Sequence, residues 1–176
     1  MKKIFLTSMI SALISTTGFA VTPALQIPIP TSYQEALASR QTHQFSDNQI
    51  RSFVYYWYGL HDKHEATNKT TELLDQSHLL MIFPDMAIHN LADYQKWYDN
   101  IGQNIKSNVH VVEKLNITML PDHRYQVDVL VDWQAVDKNG HFINKDATQQ
   151  WLLVDGKSFD HPYVQEYKVL AFKDAH

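Results

Sequence analysis

A chain of 176 residues, 44% hydrophobic and 12% aromatic, has the length of one domain and enough apolar material for a packed core, which excludes a disordered or fibrous protein. Its formal net charge of −4 becomes −6 without the first twenty residues, which carry Lys2, Lys3 and no acid, and no lysine or arginine cluster supplies the basic footprint that nucleic-acid binding needs. The absence of cysteine removes disulfides, thiolate metal sites and a cysteine nucleophile together.

Residues 1–20 read as a secretory signal peptide: Lys2 and Lys3, an apolar run from Ile4 to Ile14, then small residues before Ala20, after which cleavage is expected. The run is shorter than the roughly 20 residues of a spanning helix, so the protein is expected to be exported, periplasmic or secreted, with no membrane span after cleavage. Residues 21–45 form a leader with prolines at 23, 28 and 30, followed by a short helix from Tyr33 to Arg40 opened by the capping pair Ser32 and Glu35.

The domain proper, residues 46–174, begins with a helix over Ser46–Glu65. Ser46 and Gln49 make a capping box, and Ile50, Phe53, Val54, Trp57, Leu60, His61 and His64 fall on one stripe. Apolar residues fill the first turns of that face and imidazoles its last, which makes this end the candidate wall of a pocket. Thr67–Gln76 reads as a second helical segment with Leu73 and Leu74 buried, His78–Phe83 as a short strand stopped by Pro84, and Leu91–Ile105 as a helix capped by Asn90.

From Asn108 the period changes to 2. Asn108–Leu120 and Tyr125–Val136 form an antiparallel hairpin about Pro121–Arg124, Lys138–Lys145 is a looser connection, and Thr148–Val154 and Tyr163–Phe172 complete four strands. In the second strand Val127, Val129, Val131 and Trp133 oppose Gln126, Asp128, Asp132 and Gln134, so one face is buried and the two aspartates lie on the other. Alternation leaves the face of His110 open, because a bulge near Glu113–Lys114 would move it onto the side of Leu115 and Ile117.

Helices followed by a bent antiparallel sheet make an α+β layout. Phe53–Asp62 (FVYYWYGLHD), Val109–Asn116 (VHVVEKLN), Val129–Ala135 (VLVDWQA) and Gln149–Val169, in this order, resemble the nuclear-transport-factor-2-like superfamily and its SnoaL-like group over Ser46–Phe172. The resemblance implies a cone-shaped curved antiparallel sheet wrapped around the N-terminal helices. It also implies a pocket used for isomerase, dehydratase or cyclase chemistry with metal-free Asp/His or Tyr/Asp sets, and homodimers through the convex face.

Carried onto matching positions, the catalytic candidates are Tyr58, His61, Asp62 and His110, with Trp133 as an apolar wall; Trp57 and His64, on the inner stripe of the same helix, are the further ligand-binding candidates. Asp62 points about 100° away from His61 on a straight helix and cannot pair with it. His61 and His64 suit an acid/base pair, metal ligands or helix-terminal caps; no third ligand can be named, so no metal is expected, and without a phosphate or dinucleotide loop no cofactor. Two functions stand open: acid/base chemistry on a small, largely apolar molecule, or a non-catalytic module for ligand binding or dimerisation.

Overall fold

The computed structural model describes residues 44–156 and 160–175. The expected signal peptide, the expected Tyr33–Arg40 helix and the expected leader as far as residue 43 lie outside the described residues. Helix α1 (Asp47–Asp62) starts where the capping box predicts: Ser46 Oγ accepts from the Gln49 amide, and Gln49 Oε1 accepts from the Ser46 amide at 2.9 Å. It buries Ile50, Phe53, Val54, Trp57, Tyr58 and Leu60.

α1 ends three residues before the predicted Glu65. The His64 amide donates to the His61 carbonyl and the Glu65 amide to the Leu60 carbonyl, the two bonds of a Schellman turn, with His64 in the left-handed region at φ 49°.

The second predicted helix shrinks to α2 (Thr67–Thr71). Its Thr70 and Thr71 hydroxyls bond back to the Thr67 and Asn68 carbonyls, and Leu73 and Asp75 give their backbone to Val164 instead of continuing the helix. Leu73 and Leu74 are nevertheless buried, as the pattern requires.

Two short strands, β1 (Leu80–Ile82) and β2 (Ala87–Ile88), precede α3 (Leu91–Asn104), which Asn90 caps through the Asp93 amide. Four long strands follow: β3 (Ile105–Leu120), β4 (Arg124–Asp137), β5 (Phe142–Val154) and β6 (Tyr163–Asp174). They form one sheet in the order β2-β1-β6-β5-β4-β3.

The sheet departs from a purely antiparallel one in the β1–β6 pair, which is parallel. β5 also starts six residues earlier than expected. The supposed loose connection is a tight turn in which Asp137 takes the Asn139 and His141 amides and Gly140 adopts φ 90°.

The β3–β4 register slips between Val112 and Lys114, leaving Glu113 as the extra residue. This bulge puts Asn108, His110 and Val112 on the same face as Leu115 and Ile117, and sends Val109 and Val111 outward, where they are about half exposed. The inner face of the curved sheet packs on α1 around Trp151, Tyr125, Val127, Val131 and Leu153, and leaves a hollow towards the C-terminal end of that helix.

Candidate active site

The hollow is a cavity of about 580 Å³ between the last turn of α1, the inner faces of β3 to β6, the β1–β2 hairpin and α3. Apolar and aromatic side chains dominate its wall, among them Trp57, Phe83, Trp97, Trp133, Tyr167 and Phe172. Asp85, in the hairpin loop, is the one formally charged side chain among the described lining residues.

One end is polar. The Asp62 carboxylate accepts from His110 Nδ1 at 2.5 Å, from the His110 amide at 3.2 Å and from Asn108 Nδ2 at 3.0 Å. Three N–H donors fix that carboxylate in place. Asp62 ends the helix and so points sideways to β3, which explains why it pairs with a strand residue and not with its neighbour His61.

The donor pattern settles two tautomers. His110 must carry its proton on Nδ1 to bond an acceptor-only carboxylate, which leaves the Nε2 lone pair without a partner among the described residues. Asn108 must turn its NH₂ to Asp62, so its Oδ1 faces His64 Nε2 at 2.6 Å, and that nitrogen is the donor. His110 and His64 both line the cavity.

The other predicted residues divide. Tyr58 is buried and donates its hydroxyl to Gln149 Oε1 at 2.8 Å, while its ring stacks on His110 with centroids 4.7 Å apart. Burial keeps that phenol far above its usual titration range. Trp57 and Trp133 line the cavity, Trp57 packing also on the core residue Trp151.

His61 lines the cavity with both nitrogens engaged: Nδ1 donates to the Trp57 carbonyl at 2.8 Å and Nε2 accepts from the Tyr94 hydroxyl at 3.2 Å. Burial lowers its pKa from 6.5 to about 4, against the opposing pull of the Trp57 carbonyl. The folded state therefore refuses a proton that the unfolded chain accepts. The stability this group contributes is full above pH 6.5 and is lost as pH falls towards about 4. Urea unfolding of wild type and His61→Gln across that window tests this: the variant is expected to lose less stability on acidification, and parallel curves would refute it.

Asn108 is not among the candidates the sequence named, and the asparagine of the quoted stretch Val109–Asn116 is a different one. Asn116 faces outward and is exposed, whereas Asn108 is buried. Its spacing of two from His110 was the available signal, since alternate residues of a strand share a face. Among the described residues no group of three histidine or carboxylate side chains is gathered to hold a metal ion. No helix among them is long and apolar enough to cross a membrane.

No protein-family model matches the sequence, and no curated protein matches it. Solved structures do. A scytalone dehydratase-like protein of Novosphingobium aromaticivorans is similar at TM-score 0.63 and 11% identity, over 81% of this chain and 92% of the other. A nuclear transport factor 2-like superfamily protein of Salmonella enterica gives 0.63 at 10%, over 73% and 91%. A type 2 hexachlorocyclohexane dehydrochlorinase, LinA, gives 0.62 at 10%, over 81% and 93%.

The α+β cone described above is thus a member of a known architectural class. The chain has the nuclear-transport-factor-2-like fold.

Proposed function

We propose that this protein removes a proton from carbon in a small, uncharged, largely apolar molecule, with His110 as general base and Asp62 as the group that orients it. The observation that carries the reading is the 2.5 Å bond from His110 Nδ1 to Asp62, which leaves Nε2, without a partner among the described residues, to a cavity walled by aromatic rings. Asp62 holds the tautomer and stabilises the imidazolium formed when Nε2 takes the proton.

No lysine or arginine lines the described cavity, so an anionic ligand finds no counter-charge there and a neutral one is favoured. The names of two structural neighbours, a dehydratase and a dehydrochlorinase, support a reaction of the elimination class. The order and spacing of the quoted sequence stretches support the SnoaL-like group.

The test uses 5-nitrobenzisoxazole, a small apolar ring that a base opens to a coloured cyanophenolate by taking one C–H proton as the N–O bond breaks. Saturable ring opening by the wild-type protein is expected. Rates indistinguishable from buffer containing free imidazole would leave only a binding module.

Lys2, Lys3 and the apolar run to Ile14 support export with cleavage after Ala20. The mature protein isolated from the producing cell is expected to begin at Val21; a chain still carrying the segment from Met1 would count against export.

A further inference from the structure

Several polar groups around the cavity are already committed. Both nitrogens of His61 are bonded, the Tyr98 hydroxyl donates to the Glu65 carbonyl at 2.8 Å, and Gln149 Oε1 accepts from Tyr58 and Trp151. Asn108 is engaged at both ends of its amide. Two imidazole nitrogens of the lining make no hydrogen bond to a described residue: Nε2 of His110 and Nδ1 of His64. They belong to the two ends of one chain of bonds, His64–Asn108–Asp62–His110.

His64 also occupies a place that its backbone does not suit. At φ 49° it closes the Schellman turn of α1, where glycine is the usual residue and a side chain with a Cβ is strained. A side chain kept at a strained position, aimed into a cavity and bonded to the same amide that braces Asp62, is the pattern of a functional group held by its surroundings.

We propose that His64 is the second proton-transfer group of this cavity, acting as general acid on the oxygen that leaves while His110 takes the proton from the adjacent carbon. The proposal rests on the reading of His110 as base. The reaction it defines is a 1,2-elimination of water, or its reverse.

The C–H electron pair becomes the new C=C bond, and its proton goes to His110 Nε2. The C–O bond breaks with its pair on oxygen, which takes the Nδ1 proton of a His64 imidazolium and departs as water. His110 ends as the imidazolium and His64 as the neutral ring, still donating from Nε2 to Asn108. Exchange with solvent resets both. Nothing is oxidised or reduced.

The experiment compares two ring openings in the full protein: 5-nitrobenzisoxazole, whose phenolate leaves readily, and unsubstituted benzisoxazole, whose more basic phenolate needs a proton donor. The variants are His64→Gly, which relieves the backbone, and His64→Asn, which tolerates the left-handed region and keeps an amide but has no transferable proton. Both are expected to fold, with the glycine variant at least as resistant to heat as wild type.

Their kcat/KM for the unsubstituted compound is expected to fall about 10- to 100-fold more than for the nitro compound, within the range of general-acid effects. Equal losses for the two compounds, or none, would overturn the assignment of His64. Absence of ring opening by wild type with both compounds would instead refute the prior assignment of His110, so the two failures are distinguishable.

Discussion

Replacement of His110 by alanine is expected to lower ring opening of 5-nitrobenzisoxazole by about 10²- to 10⁴-fold, the usual worth of a positioned base. The loss falls on kcat more than on KM, because the aromatic walls that hold the ring, Trp57, Phe83 and Trp133, are untouched. Asp62 keeps one side-chain donor, Asn108, so the fold survives with a destabilisation of about 1–3 kcal/mol from the poorly paired carboxylate.

A structural and a catalytic role separate in one further measurement. Added imidazole is expected to restore part of the rate in His110→Ala, since the vacated space adjoins Asp62 and Tyr58 and opens on the cavity. Asp62→Asn is expected to be slower than wild type, because an amide NH₂ then meets either the His110 backbone N–H or its Nδ1–H. The double variant falls no further than His110→Ala, because the two residues act as one unit. Wild-type rates in His110→Ala would remove the base assignment altogether.

The largest effect on stability is expected at Trp151. Its side chain is 1% exposed and packs on Trp57, Tyr58 and Tyr167 with ring centroids 5.8, 5.4 and 5.0 Å away, and its indole N–H donates to Gln149 Oε1 at 3.0 Å. Truncation to alanine deletes three ring contacts, two of them to α1, and is expected to cost about 3–5 kcal/mol.

Trp151→Phe fills most of the space and leaves Gln149 the Tyr58 hydroxyl as a partner, so its loss is expected to be smaller. Denaturant unfolding followed by circular dichroism measures both. An alanine variant within about 1 kcal/mol of wild type would show that the core between α1 and β5 is not the main support of the fold.

Tyr58 and Gln149 connect the two predictions. Trp151 fixes Gln149, Gln149 accepts the Tyr58 hydroxyl, and the Tyr58 ring backs the His110 imidazole. Loss of packing at Trp151 is therefore expected to slow the chemistry even where the protein stays folded, through a base less firmly held.

Much of this was legible in the sequence. Ser46 and Gln49 marked where α1 begins, because a capping box needs only local geometry. The apolar stripe from Ile50 to Leu60 named its buried face, and the alternation from Tyr125 to Trp133 named the inner face of β4. The break in alternation at Glu113 marked where a bulge would fall but left the face of His110 open; the register slip between Val112 and Lys114 settled it, since one extra residue in a strand inverts everything beyond it. These are properties of neighbours along the chain.

What the tertiary structure alone decided concerns residues far apart in sequence. Which donor meets Asp62 depends on the end of α1 lying against β3, 48 residues on, and no periodicity encodes that distance. The same docking placed Asn108 between Asp62 and His64, and left Tyr58 pointing into the core while only its ring serves the site. The parallel pairing of β1 with β6 is likewise set by packing between distant segments. Local patterns specify the elements and their faces; the chemistry arises where two faces meet, and the free energy that selects that meeting comes from burial of the whole core.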